Sequence, residues 1–262
     1  SGNSQKQTTI KLIEMKPLIL ITNDDGIQAE GIHRLVDSVS DLGEIYVVAP
    51  NGPKSGGSSS ITVEVPLRSK AQDDYNGAKM ISVNGTPVDC VKLALHVILP
   101  RRPDFVLSGI NHGANTGNSV VYSGTMGAAM EGALRGIPSI GYSLISHTPE
   151  ASDFDRAMPY IRKITEGVIK NGLPDGVCLN VNIPVGREIT GIEMTESCRG
   201  SWLGEYKEYT CPSGNKFYCL TGTYKNEDPD NPNTDIARLA EGKIAVTPVT
   251  PYRDVKLDKL PI

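Results

Sequence analysis

Short runs of consecutive apolar residues alternate with helical patterns along most of this chain. Such runs are typical of strands that are buried on both faces of a sheet, and five are found, at 18–22, 44–49, 103–107, 138–144 and 177–183. Apolar residues recur at helical spacing in the segments between them, at 31–39, 87–98, 123–135 and 154–168. The alternation predicts an α/β fold, a doubly wound, mainly parallel and Rossmann-like sheet with right-handed crossovers.

Other segments complete this pattern with weaker signals. Two short stretches, 61–67 and 79–83, are strand candidates. Near the other end of the chain, 234–241 is predicted as a short helix and 243–247 as a strand.

The regular alternation of strand and helix patterns ends at about residue 191. Aromatic residues flank a turn sequence within 205–224, a pattern of two strands joined by a turn. An isolated hairpin is marginal in water. We therefore expect this C-terminal β-hairpin to be an arm that packs on a second copy of the chain.

Length and charge restrict the class of protein. The 262 residues fit one large domain, which we expect to span 15–262, with the arm and tail in about 191–262. Residues 1–14 precede Met15 and are interpreted as an extension or tag remnant. A net charge of -4 argues against nucleic-acid polymers and membranes as partners.

The chain shows no sign of a membrane span or an export signal. None of its apolar runs approaches the roughly 20 residues that a spanning helix needs, and the N-terminus lacks a signal-peptide core. These observations predict a cytoplasmic protein.

The five cysteines are odd in number and contain no CxxC pair, so they are interpreted as free thiols. Cys90 and Cys178 lie in apolar stretches and are expected in the core. Cys211 and Cys219 are candidates to face each other across the hairpin. The four histidines do not have the spacing of a zinc site.

Two adjacent carboxylates, Asp24 and Asp25, follow the first predicted strand. Ligands of open α/β sheets bind at the carboxyl ends of the strands. The two side chains can converge only if the chain turns between them, which Gly26 permits. A divalent cation relieves the repulsion between such neighbours. The alternative is that one of them simply caps the next helix.

Two further polar loops follow predicted strands. NGPKSGGSSS at 51–60 contains Ser55, and SGINHGANTG at 108–117 contains Asn111. The first could also be a flexible linker. Carboxylate, hydroxyl and amide oxygens favour Mg²⁺, Mn²⁺ or Ca²⁺ over zinc. Ser123 or Thr125 is expected to cap the next helix and to direct its N–H groups into the same cleft.

Six segments in order carry a resemblance to a known family. They are NDDG at 23–26, SGGSSSIT at 55–62, NGTPVDCV at 84–91, SGINHGANTG at 108–117, YSGTMGAAMEG at 122–132 and TDIARLAEGKIAVTPV at 234–249. Together they resemble the SurE survival proteins, metal-dependent nucleoside monophosphate phosphatases. The match covers nearly all of 15–249.

The resemblance implies a site and a substrate. One divalent ion, Mg²⁺ or Mn²⁺, with Ca²⁺ able to replace it in crystals, would be held by Asp24, Asp25, Ser55 and Asn111. The phosphate pocket would draw on Asn23, Gly56, Ser108, Gly109, Ser123, Gly124 and Thr125. The substrates implied are nucleoside 5'-monophosphates, with 3'-monophosphates and short polyphosphate in addition. The family also implies a homodimer or homotetramer.

The chemistry leaves some roles open. Asp24 and Asp25 are the candidate catalytic residues, and their adjacency favours a metal-activated water over attack by Asp25. His112 could protonate the leaving oxygen or be a hydrogen-bonded spectator. Lys54 could attract phosphate or be merely solvated, and Trp202 could stack a base or pack at an interface. A noncatalytic nucleotide-binding stress protein is the alternative function.

Overall fold

A nine-stranded sheet runs through the centre of the structure, a computed structural model that describes residues 16–252. The strands of the described residues are β1 (Leu18–Thr22), β2 (Glu44–Pro50), β3 (Ser69–Ala71), β4 (Lys79–Val83), β5 (Phe105–His112), β6 (Ser139–Leu144), β7 (Cys178–Ile183), β8 (Gly191–Met194), β9 (Gly200–Leu203), β10 (Tyr206–Thr210), β11 (Lys216–Leu220), β12 (Thr223–Asn226) and β13 (Lys243–Val249). The proposed extension at 1–14 and the end of the tail at 253–262 lie outside the described residues.

In the part of the chain that the structure describes, five α-helices accompany the strands: α1 (Glu30–Val39), α2 (Pro87–Leu93), α3 (Gly124–Leu134), α4 (Ala151–Asn171) and α5 (Asp235–Ala240). A π-helical turn at Ala94–Ile98 continues α2, and a 3₁₀ turn at Gly117–Val121 precedes α3. Within residues 16–252 no helix is long and apolar enough to cross a bilayer.

The sheet has the order β3-β4-β2-β1-β5-β6-β7-β13-β8. Its central strands are parallel, whereas β3 and β13 run antiparallel to their neighbours β4 and β7. One face is covered by α1 and α4, and the other by α2 and α3. The predicted doubly wound, mainly parallel α/β fold is confirmed.

The core explains why the strands are apolar throughout. Leu18, Ile19, Leu20 and Ile21 of β1 are all fully buried, because the side chains alternate between the two helical layers. The order of the sheet also brings the carboxyl ends of β2, β1 and β5 side by side at one edge. The three polar loops therefore lie at the same edge.

Two element predictions were wrong in part, and one strand was missed. The pattern at 61–67 predicted a strand, but this segment has no regular structure, and its side chains Ile61, Val63 and Val65 are exposed. The shorter β3 occupies the pairing edge of β4 instead. The loop predicted from residue 108 begins later, since β5 continues through a register shift to His112. The short strand β8 was not predicted.

The hairpin arm is confirmed and is longer than predicted. Its tip is the antiparallel pair β10 and β11, and its base is a second antiparallel pair, β9 and β12. Cys219 lies opposite Lys207, so the proposed facing of Cys211 and Cys219 is wrong. The turn places Cys211 beyond the last strand pair. Cys90 and Cys178 are buried, as predicted.

Candidate metal and phosphate site

The turn after β1 is built by Asn23 and Gly26. The fully buried Asn23 amide donates to the Gly26 carbonyl at 2.9 Å, and its oxygen accepts from the Gly26 N–H at 3.1 Å. Gly26 has φ of +102°, and a Cβ there would lie 3.1 Å from the Gly52 backbone. Only glycine is suited to that conformation and space. Both polar groups of Asn23, a predicted phosphate ligand, are thus used to shape the turn.

Asp24 points from this turn toward the beginning of α3. Asp24 is only 4% exposed, and its Oδ1 accepts a hydrogen bond of 2.6 Å from the Thr125 hydroxyl. Gly124 packs so closely that a Cβ on it would lie 2.9 Å from Asp24 Cβ. A carboxylate at a helix N-terminus is stabilised by the helix dipole.

Burial nevertheless dominates the electrostatics of Asp24. The pKa of Asp24 is raised to about 6, chiefly by desolvation and in smaller part by the neighbouring Asp25, against the lowering effect of the Thr125 hydrogen bonds. A carboxylate in this position gains from a nearby cation, which would favour its charged form.

Asp25 is attached to a different element. It is half-buried, and its Oδ2 accepts from the backbone N–H of His112 at 3.3 Å. Burial raises the pKa of Asp25, and the nearby His112 lowers it. The two carboxylates are therefore separated by the turn, Asp24 toward α3 and Asp25 toward the end of β5, which brings Asn111 close to Asp25.

The end of β5 supplies neutral oxygens. The Asn111 amide nitrogen donates to the Gly113 carbonyl at 2.8 Å, which leaves the side-chain oxygen available to a cation. Ser108 is fully buried, and its hydroxyl has no hydrogen-bond partner among the described residues. The same holds for Thr22, its register partner on β1, and for His112 Nε2. Orphaned buried polar atoms call for a missing partner such as water or a ligand.

The Gly/Ser loop after β2 is fastened to the site on both sides. The Lys54 N–H donates to the Asp24 carbonyl at 2.7 Å, and Ser58 donates from its N–H to the Tyr122 carbonyl and from its hydroxyl to the Val121 carbonyl, at 3.0 and 2.7 Å. This attachment disfavours the flexible-linker interpretation. Between these anchors, Ser55 and Gly56 are exposed.

The N-terminus of α3 completes the cluster. Ser123 is the N-cap, and its hydroxyl accepts from the Met126 N–H at 3.0 Å, as expected for one of the two predicted capping residues. The Thr125 hydroxyl is used by Asp24 instead. Gly109, also predicted for the pocket, lies on β5 where it packs against the Tyr142 carbonyl of β6.

The described hydrogen bonds thus join Asp24 with Thr125 and with the Lys54 backbone, and Asp25 with His112. The role of Thr125 as the partner of Asp24 was missed by sequence reasoning, which assigned it to phosphate. No local signal links two residues 101 positions apart.

The donor set determines which metal could fit. Residues 16–252 contain no group of three or more His, Cys, Asp or Glu side chains that could hold a metal ion. The site instead offers two carboxylates together with hydroxyl and amide oxygens. That set fits a hard cation such as Mg²⁺ or Mn²⁺ that keeps several water ligands.

Two cavities of several hundred Å³ lie away from this turn. One of about 700 Å³ lies behind the Gly/Ser loop, against Lys92 and Met130, and another of about 530 Å³ lies beside Met194 at the sheet edge. Neither is lined by Asp24 or Asp25. The chemistry of the side chains therefore locates the candidate site, and the volume of empty space does not.

An acidic turn between two glycine-rich loops at the carboxyl edge of a parallel sheet defines a class, the α/β proteins that bind their ligands at strand ends. A family model described as "Survival protein SurE" matches residues 19–204. The chain belongs to the SurE family.

Several relatives match nearly the whole chain. The "5'-nucleotidase SurE" of Phocaeicola vulgatus is 47% identical over 233 residues, which cover 89% of this chain and 90% of the relative. That of Bacteroides fragilis is 46% identical over 235 residues, covering 89% and 91%. The crystal structure of a SurE protein from Aquifex aeolicus superposes with a TM-score of 0.76 at 36% identity, over 89% of this chain and 93% of that one. The resemblance drawn from the sequence motifs is confirmed.

Proposed function

We propose that this chain is a 5'-nucleotidase, a divalent-metal-dependent phosphatase that hydrolyses nucleoside 5'-monophosphates with a metal-activated water. Nucleoside 3'-monophosphates and short polyphosphate are further substrates in this proposal. The names of relatives at 46–47% identity support the nucleotidase activity. The observation that carries the proposal is the turn that holds Asp24 against α3 and Asp25 against β5.

Asp24, Asp25, Ser55 and Asn111 would hold one Mg²⁺ or Mn²⁺. Such an ion lowers the pKa of bound water and polarises a phosphoryl oxygen. Thr125 orients the Asp24 carboxylate by its 2.6 Å hydrogen bond, and the His112 N–H orients Asp25. Asp25 is the less buried of the two carboxylates, and in this proposal its second oxygen aligns the attacking water.

The phosphate group would be held by this chain's own N–H and hydroxyl groups. The N-terminus of α3 presents backbone donors and the positive end of the helix dipole at Gly124. The unpartnered Ser108 hydroxyl offers a further donor. Gly56 has open space, since a Cβ there would meet nothing within 4 Å, which suits close approach of an anion to the backbone.

We also propose that the arm joins copies of the chain into a homodimer or homotetramer. Leu220 and Tyr206 lie opposite each other on the tip and are 74% and 68% exposed, and Phe217 stacks on Tyr209 with both side chains exposed. Trp202 forms an edge-to-face pair with Tyr224 at the base of the arm. A second copy would bury these apolar side chains.

The test is phosphate release from a panel of nucleotides by the purified chain with Mg²⁺, Mn²⁺ or excess chelator. We expect turnover of nucleoside monophosphates with either metal and none with chelator. Tight nucleotide binding without phosphate release would favour the noncatalytic alternative.

A further inference from the structure

A short segment leads into the first turn of α3, which would hold the phosphate group in the proposed site and is called the phosphate-binding turn below. The 3₁₀ turn Gly117–Val121 leads directly into Tyr122 and the helix cap Ser123. The carbonyls of Val121, at its far end, and of the next residue, Tyr122, accept from Ser58 of the Gly/Ser loop. The position of this segment therefore sets two phosphate-binding elements at once, the loop that contains Gly56 and the N-terminus of α3.

The near end of the segment is held by Asp235, the first residue of α5. The Asp235 side chain is fully buried, and its Oδ2 accepts from the Gly117 N–H at 2.7 Å. Its Oδ1 accepts from the N–H groups of Cys198 and Ile236, at 3.0 and 2.8 Å. One carboxylate thus connects the segment to Cys198, which lies two residues before the base of the arm.

The contact between segment and arm is tightly packed. Gly117 has φ of +51°, and a Cβ there would overlap the Tyr224 hydroxyl and lie 2.8 Å from the Cys198 carbonyl. That hydroxyl donates to the same carbonyl at 3.1 Å, and the Asn118 amide donates to the Gly200 carbonyl. The carboxylate, Gly117 and the base of the arm are thus in direct contact with one another.

On the side toward β5 the segment is fixed by the sheet. The Asn115 N–H donates to Asn182 Oδ1 at 2.8 Å, and the backbone carbonyl of Asn115 accepts from the Asn180 side-chain amide at 2.7 Å. Both amides are fully buried on β7. These two hydrogen bonds hold the loop before Gly117 to the sheet, whereas Asp235 connects Gly117 to the base of the arm.

We propose that Asp235 is a positioning residue that holds the phosphate-binding turn in place and couples it to the base of the arm. It acts through Gly117 and does not touch the substrate. The inference rests on the proposed function, since the turn it positions is the proposed phosphate site.

The test compares the parent with Asp235→Asn. Asparagine has the same shape as aspartate but only one acceptor oxygen. Its NH₂ group must therefore face a backbone N–H group, and at least one of the hydrogen bonds that Asp235 accepts is lost. We expect the dissociation constant of inorganic phosphate, measured by calorimetry with Mn²⁺, to rise by about tenfold, as for loss of a charge-assisted hydrogen bond. The KM for AMP should rise by the same factor with kcat and the half-saturating Mn²⁺ concentration unchanged, because ground-state and transition-state binding are weakened alike.

Asp104→Asn is the matched control. Asp104 accepts from the Leu18 N–H at 2.7 Å, at the amino end of β1 and far along the strand from the site. This variant should lower the melting temperature and leave phosphate binding unchanged. If Asp235→Asn lowers the melting temperature but binds phosphate like the parent, Asp235 has only a structural role. That result would overturn the inference.

A second variant decides the matter if Asp235→Asn does not fold. Ser58→Ala removes the hydrogen bond to the Val121 carbonyl at the other end of the segment, and unchanged phosphate affinity there would also overturn the inference. If the parent binds phosphate but does not hydrolyse AMP, the proposed function fails while the phosphate titration still tests Asp235. A parent that binds no phosphate overturns both.

Discussion

The Thr125 hydroxyl donates a 2.6 Å hydrogen bond to Oδ1 of Asp24, across 101 residues of sequence. Thr125 lies in the first turn of α3 and Asp24 in the turn after β1. This bond fixes the rotation of a carboxylate that is almost fully buried. It also stabilises the charged form, which is the form that can bind a metal.

Replacing Thr125 by valine should reduce phosphatase activity by about 10- to 100-fold, because a hydrogen bond to a charged group contributes roughly 1.5–3 kcal/mol. Thr125→Ser is the matched control, since it keeps the hydroxyl, and it should retain most of the activity. The measurement is kcat/KM for AMP at saturating Mn²⁺. Equal activity of the valine and serine variants would show that the bond is not needed for catalysis.

Asp24→Asn and Asp25→Asn should each abolish phosphatase activity while the fold stays intact. Both carboxylates lie at the strand end and neither belongs to the apolar core. Phosphate release and circular dichroism are measured together on each variant. Near-parental turnover in a folded variant would contradict the metal assignment, whereas loss of the fold would indicate a structural role.

Asp24→Asn should stabilise the metal-free protein at neutral pH. The pKa of Asp24 is about 6 in the folded chain, against the usual 3.8, and a rise of roughly 2 units corresponds to about 3 kcal/mol at most. Because the pKa is raised, the folded state favours the protonated form. The parent has this contribution in full below pH ~4 and loses it as the pH rises through ~6.

The free energy of unfolding of parent and Asp24→Asn is therefore compared in chelator at pH 4 and pH 8. We expect the variant to be more stable at pH 8 and the difference to shrink at pH 4. A difference that does not change with pH would mean that Asp24 does not carry this burial penalty.

Removal of divalent cations should abolish activity, and Mn²⁺ or Mg²⁺ should restore it better than Zn²⁺. The reason is the all-oxygen donor set of Asp24, Asp25, Ser55 and Asn111. Activity is followed after dialysis against chelator and addition of each metal in turn. Full turnover in excess chelator would remove the central element of the proposed mechanism.

Nucleoside monophosphates should be preferred to ATP, and faster hydrolysis of ATP than of AMP would contradict a pocket for one terminal phosphoryl group.

The intact chain should be at least a dimer at micromolar concentration by light scattering. Deletion of 205–224 removes the arm and should lower the measured mass or cause aggregation. Phe217→Glu places a charge in the exposed aromatic pair and should weaken assembly, whereas Lys216→Glu, at an exposed polar position, is the matched control. A monomeric parent would contradict the proposed assembly and leave base stacking as the next role for the arm's tyrosines.

The sequence by itself determined the local elements with the strongest patterns. The continuous apolar run of β1, the helical spacing of α1 and the proline-led α2 were all predicted near their observed bounds. The order of the segments implied a parallel sheet, and a parallel sheet places the loops of Asp24, Ser55 and Asn111 at one edge. These predictions succeed because burial on both faces and helical amphipathicity leave a direct trace in neighbouring residues.

The tertiary structure decided what depends on contacts between distant segments. The pattern at 61–67 suits a strand, yet the available edge of β4 is taken by β3. The ties from Thr125 to Asp24 and from Asp235 to Gly117 join residues more than 100 positions apart. A hydrogen bond of this kind needs only one acceptor and one donor, so it imposes no periodicity on the chain, and only the packing of α3 and α5 against the sheet brings its partners together.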